Sequence, residues 1–178
     1  MKRLLSFLVY IFLVFSCAEE QDFDQFDDLS IEPTVASSIF YFESNEEIIN
    51  AFGTGGFYEE VFTFEAFSDP NVSDRVIDGT ITYQLENTTS KDLGLLIEFL
   101  DEGGTVLDSE SFIADEEPTP LLERQVAYGE SGKSLDILRN TTNIRVSGEN
   151  LGDATSQSSQ NEPKIILRSS AAFRVRLR

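Results

Sequence analysis

Gly79–Glu86, GTITYQLE, and Leu93–Leu100, LGLLIEFL, stand on either side of the polar turn Asn87-Thr88-Thr89-Ser90. In the first run Ile81, Tyr83 and Leu85 fall on one face, and Thr80, Thr82, Gln84 and Glu86 on the other. A period of two with one wet face marks a strand of an antiparallel sheet laid over a core. Working outward, the same texture recurs in Ser38–Glu43 (SIFYFE), Glu60–Phe67 (EVFTFEAF), Thr105–Ile113 (TVLDSESFI), Leu121–Tyr128, Asn143–Ser147 (NIRVS), Lys164–Arg168 and Ala171–Leu177. Asp69-Pro70-Asn71, Asp101-Glu102-Gly103-Gly104 and Pro118-Thr119-Pro120 supply turn chemistry between them. Helical signal is confined to two short pieces. Ser44-Asn45-Glu46-Glu47 reads as a capping box ahead of Ile48, Ile49, Ala51 and Phe52, with Gly53 as the stop; Ser134–Arg139 reads as one or two turns. Short, regularly spaced strands with turns between them predict an all-β antiparallel sandwich over residues 36–178.

Composition narrows the chemistry. The 178 residues carry 32 acidic against 13 basic side chains, a formal net charge of −19, with no His, no Trp and one Cys. A chain this acidic does not seek phosphate backbones, so nucleic acid is excluded as a partner. Without His there is no Ser-His-Asp triad, Cys-His pair or His-ligated metal. A single Cys forms neither an internal disulfide nor a thiolate cage.

The first residues read as an address. Lys2 and Arg3 precede the apolar run Leu4 to Ser16. As a helix that run would span about 20 Å, short of the roughly 30 Å hydrocarbon core, which is the anatomy of a secretory signal. It ends at Val14-Phe15-Ser16-Cys17, which resembles the lipobox of bacterial lipoproteins. The resemblance implies that residues 1–16 are removed and that Cys17 becomes the lipidated first residue, held at a membrane by several acyl chains. Ala18 follows Cys17, not the Asp of inner-membrane retention, and Glu19, Glu20, Asp22 and Asp24 come next. That acidic run is similar to the export signal that sends some Gram-negative lipoproteins to the cell surface. The expected location is therefore the outer membrane, with the cell surface favoured over the periplasmic face.

Residues 17–35 read as a flexible acidic tether closed by Pro33, with an end-to-end distance of about 25 Å. Phe23 and Phe26 interrupt it, as a docking motif, as residues that pack back on the domain, or incidentally. Beyond it, Gly79 to Ile113 resembles the small immunoglobulin-like modules of bacterial envelope proteins, the FxLYD type. The match rests on a strand ending in Asn87, an apolar strand ending in Phe99-Leu100-Asp101, and a Gly-Gly turn before Val106-Leu107. The resemblance implies an Ig-like sandwich without catalytic residues. The final run, with Arg174, Arg176 and Arg178 alternating with Phe173, Val175 and Leu177, reads as an edge strand. Its charges would block aggregation or meet an acidic surface, such as the chain's own N-terminal segment.

Three sets of side chains remain as site candidates. Asp69, Asn71, Asp74 and Asp78 gather hard oxygen ligands of the kind calcium takes, though without the Gly and terminal Glu of an EF-hand. Tyr41, Tyr58 and Phe57 flank the period-two phenylalanines or sit by the Gly-rich turn, and could form an exposed recognition patch. Glu65 and Glu98 read as outward positions of alternating strands, not as a glycosidase pair. The expectation is a non-catalytic lipoprotein of the envelope that docks onto another envelope protein or presents a surface patch. The alternative is a surface lipoprotein that binds carbohydrate or calcium. A flat exposed patch by an edge strand would favour the first; a deep pocket with two carboxylates would favour an enzyme.

Overall fold

The computed structural model describes residues 30–116, 121–130 and 132–177. The signal segment 1–16, Cys17, the tether as far as residue 29 and the Pro118–Pro120 turn lie outside the described residues. Among those described, eight strands and three short helices follow one another. They are β1 (Thr34–Asn45), α1 (Glu46–Phe52), β2 (Gly55–Thr63), α2 (Pro70–Ser73), β3 (Val76–Asn87) and β4 (Leu93–Leu100). Then come β5 (Val106–Ala114), β6 (Leu122–Tyr128), α3 (Leu135–Asn140), β7 (Asn143–Asn150) and β8 (Lys164–Val175).

One sheet, A, has the order β1-β8-β3-β6 and the other, B, β2-β7-β4-β5, with antiparallel pairing throughout. The faces meet through aromatic contacts: Phe40 on Phe62 at 5.5 Å between ring centroids, Phe42 on Tyr58 at 4.0 Å, and Tyr83 on Phe112 at 5.4 Å. Ile81, Tyr83 and Leu85 are fully buried, as the alternation in GTITYQLE requires. The expected antiparallel sandwich with short helical turns is what the chain forms. Its connectivity is that of two Greek keys, the eight-stranded jelly-roll order, whereas the immunoglobulin order sets strands ABED against CFG. Alternation in a sequence reports which face is buried and leaves the neighbouring strand open.

Several boundaries move. Lys164–Arg168 and most of Ala171–Leu177 fuse into one strand that ends at Val175, because Ser169 and Ser170 continue the ladder with no turn residue between. That strand is not an edge: β8 lies between β1 and β3. Its arginines do meet the acidic N-terminal side, since Arg174 and Arg176 donate to Glu32 at 3.2 and 3.1 Å. Residues 31–35, read as the end of the tether, belong to the sandwich. Val175 and Leu177 donate their N–H groups to Pro33 and Ile31 at 3.0 and 2.9 Å, and β1 begins at Thr34. The helix cap is Asn45, not Ser44: its Oδ1 accepts the Ile48 N–H at 2.9 Å.

Gly79 is fixed by packing, not by backbone freedom. A Cβ there would lie 2.0 Å from the Phe173 ring and 2.7 Å from the Ala172 carbonyl oxygen. The Phe173 ring occupies that space and stands edge-on to Phe67 at 5.1 Å.

Polar groups lock the end of the sandwich where α1, the β3–β4 turn and the β7–β8 connection converge. Lys91 has 0% exposure. Its ammonium donates to Asp153 Oδ1 at 3.1 Å, to the Ser156 carbonyl at 2.7 Å, and to Ser156 Oγ. Asp153, 60% exposed, also accepts the Ser156 and Thr155 N–H groups at 2.7 Å each. Those backbone bonds, with the Lys91 ammonium after them, hold the Asp153 carboxyl well below the usual carboxylate range. Buried Glu46 accepts from Ser90 N–H and Oγ at 2.6 Å each and from Ser158 N–H at 2.9 Å. Burial pushes its carboxyl up, but these bonds outweigh it and the net shift is downward. Asn87 and Asn150 complete the lock. The first donates to the Lys91 and Asp115 carbonyls at 2.8 Å each, the second to those of Gly53 and Asp153 at 2.9 Å each.

Gly79→Ala should destabilise the protein by about 1–3 kcal/mol, because one of the two obstacles is backbone; urea denaturation reads this directly. At the locked end, Asp153→Ala should lower the urea midpoint more than Lys91→Met. The first leaves an ammonium buried without its carboxylate; the second leaves a carboxylate where water reaches it. Because the Asp153 carboxyl is depressed in the folded state, its contribution is in place above the ordinary aspartate pKa of about 3.9 and fades as pH falls from there toward the lower folded-state value. The gap between parent and Asp153→Ala should therefore narrow between about pH 6 and about pH 2.

Candidate functional site

The four proposed calcium ligands do separate jobs. Asp69 caps α2, its Oδ1 accepting the Asn71 N–H at 2.8 Å and the Asn71 side-chain amide at 3.0 Å. Asp74 is the C-terminal cap of the same short helix. Asp78 turns instead to Arg174 on β8, which donates through Nε at 3.2 Å and through Nη2; these bonds hold the Asp78 carboxyl below its ordinary range. Among the described residues no group of three or more acidic or Cys side chains is placed to hold a metal ion.

The three aromatic candidates also part company. Phe57 is core: it is buried, and its ring covers Gly148, where a Cβ would come within 2.7 Å of the ring edge. Its place in a Gly-rich stretch suggested a turn, but Gly55 and Gly56 are the start of β2. Tyr58 is half-buried on Phe42 and donates to Glu60, with its phenol pushed up by burial and then by that bond. Only Tyr41 presents its ring to solvent, at 52% exposure, on the outer face of β1.

Two ionic clusters escaped the sequence reading. The Lys91–Ser156 contact has the composition of a Ser/Lys dyad. A lysine acting as base must shed its proton, and here the ammonium is held by Asp153 and two Ser156 oxygens with no surface open to a substrate. The contact is a clamp. The second cluster closes the side of the sandwich between edge strands β5 and β6. Lys133 donates to Asp108 and Glu110 at 2.6 and 2.7 Å, and Arg124 to Glu110 at 3.2 Å while lying 4.2 Å over the Phe112 ring. Burial, then the Asp108 and Glu110 charges, push the Tyr128 phenol upward. Charges pointing inward on edge strands guard those edges against pairing with another chain. The signal was present in parity: Asp108 and Glu110 share the phase of buried Phe112, and Arg124 that of Val126 and Tyr128.

Besides a polar depression of about 770 Å³ between Glu47 and Glu162 and a more apolar one of about 360 Å³ among Val35, Phe64 and Val72, each outer face of the sandwich carries a depression. On sheet B a shallow depression of about 990 Å³ is floored by Gly94, Ser111 and Ser147 and walled by Leu96, Ile113, Leu151 and Phe52. Ile113 on edge strand β5 is 65% exposed and Phe52 64%. On sheet A a smaller depression of about 230 Å³ lies among Tyr41, Arg168, Gln84, Ser38, Ser170 and Thr82. No helix among the described residues is long and apolar enough to cross a membrane.

No family model matches the chain, and no curated protein matches it. Solved structures offer remote likeness only. A subviral particle of infectious bursal disease virus VP2 aligns at 11% identity and TM-score 0.39 over 83% of this chain and 33% of that one. A Bacillus endospore appendage, from a family of disulfide-linked pili, aligns at 12% and 0.38 over 89% and 95%. An arabinose-bound α-L-arabinofuranosidase aligns at 10% and 0.38 over 83% and 23%. The chain thus spans about a third of the viral protein it resembles.

Proposed function

We propose that the chain is a lipid-anchored, non-catalytic module of the bacterial outer membrane that docks onto another envelope protein through the outer face of sheet B. The observation that carries this reading is the apolar patch of Leu96, Ile113, Leu151 and Phe52 beside an edge strand. Such a patch is costly to leave in water and is the usual mark of a contact surface. It is broad and open, with glycine and serine between the apolar side chains, so it suits a complementary protein surface better than a small molecule. Glu59 and Glu149 lie at its rim and would give the contact a preferred orientation. The anchor rests on the lipobox ending at Cys17, and orientation toward the cell surface on the acidic residues that follow it.

Two experiments test the two halves separately. Cys17→Ala should abolish incorporation of labelled palmitate and move the protein from the membrane to the soluble fraction; a variant that stays membrane-bound would overturn the anchor. A photo-crosslinking residue at position 113 should give one discrete adduct in intact cells, lost on Leu96→Asp, while the same residue at position 125 on sheet A should give none. Equal adducts from both positions, or none from 113, would overturn the docking face.

A further inference from the structure

We infer that the outer face of sheet A carries a binding subsite for a neutral glycan, built on Tyr41, Arg168 and Gln84. The three are consecutive across the ladder: Tyr41 pairs with Arg168 and Arg168 with Gln84, so the row spans about 10 Å over β1, β8 and β3. The adjacent row is Ser38, Ser170 and Thr82, whose short side chains leave the depression of about 230 Å³ beside the Tyr41 ring. An exposed aromatic plane next to planar hydrogen-bonding groups matches a sugar ring. The C–H face of the sugar would lie on the part of the Tyr41 ring left open by the Arg168 guanidinium, which sits 6.0 Å from the ring centroid, and its rim of hydroxyls meets that guanidinium, an amide and small hydroxyls.

Each member of the long row is braced by a carboxylate. Tyr41 donates to Glu43, the Arg168 guanidinium lies 3.7 Å from Glu86, and Gln84 donates to Glu123 at 3.0 Å. Braced side chains lose little freedom when a ligand arrives, which is how a shallow site acquires useful affinity. The same three carboxylates set the ligand's charge. With Arg168 already paired and Glu43, Glu86 and Glu123 around the row, an acidic sugar would be repelled, as would a phosphate. A peptide is served poorly, since the row has no apolar pocket and strand addition would use the β1 edge instead. The volume admits about one sugar unit at a time, below the usual range for a buried small-molecule pocket, so the site would read a chain by repeated weak contact.

This subsite is on the opposite sheet from the docking patch and needs neither that patch nor the anchor. The full chain in detergent should be applied to a printed array of neutral and acidic glycans, followed by calorimetry with maltohexaose, laminarihexaose, cellohexaose and mannohexaose. Polygalacturonate serves as the acidic comparison. At least one neutral glycan should bind, with Tyr41→Ala weakening it by about tenfold or more, and with Gln84→Ala and Tyr41→Phe, which keeps the ring but loses the Glu43 brace, each weakening it less. Ile113→Asp, on the other sheet, should leave it unchanged. Arg168→Gln, also surface-exposed, provides a second reading should Tyr41→Ala fail to fold. Binding to no neutral glycan, binding to acidic glycans alone, or neutral binding indifferent to both Tyr41→Ala and Arg168→Gln would overturn the proposal.

Discussion

The last strand is the one on which sheet A depends. β8 lies between β1 and β3, pairing with β1 from Thr34 to Asn45 and with β3 from Val76 to Asn87. Neither of those strands pairs with the other, so without β8 the sheet is an isolated strand and a two-stranded ribbon, below what stands alone in water. The residues of β8 suit this place. Ile165, Leu167, Ala171 and Phe173 face the core, while Arg168 and Arg174 face outward and are paired with Glu86, Asp78 and Glu32. The charged half of the strand thus ties together segments far apart in the chain.

Bringing the C-terminal strand back between two early ones requires a long β7–β8 connection, and the buried polar network holds it. Lys91 and Asn150 fasten residues 153–156 to the β3–β4 turn and to the end of α1, while Glu46 fastens Ser158. A loop of this kind has backbone groups that need partners if it is to pack against the core, and these side chains supply them. The opposite concern, edges that must stay unpaired, is met at β5 and β6 by Asp108, Glu110, Arg124 and Lys133 turned inward. Much of the ionic chemistry in this chain is therefore spent on closing the sandwich.

The depressions proposed as binding surfaces lie on the outer faces. One outer face carries an apolar patch set among small residues, the other a polar row beside the exposed Tyr41 ring. Of the three aromatic residues nominated from sequence, the fold keeps Tyr41 at the surface, half-buries Tyr58 and takes Phe57 into the core. The four calcium candidates were drawn together by spacing along the chain, yet Asp69 is consumed by a helix cap and Asp78 by an arginine from the far end of the sequence.

The sequence by itself determined the all-β class, most of the strands and the phase of burial along strands such as Gly79–Glu86. Those are local properties: alternation and turn residues each act within a few residues. Only the tertiary structure decided that Ala171–Val175 belongs to a central strand and not an edge, that the connectivity is a jelly roll, and which charges are clamps. It also separated Tyr41 from Phe57. Each of these turns on which distant strand arrives alongside, and strand order is governed by the mutual fit of two whole sheet faces, a property no single segment carries.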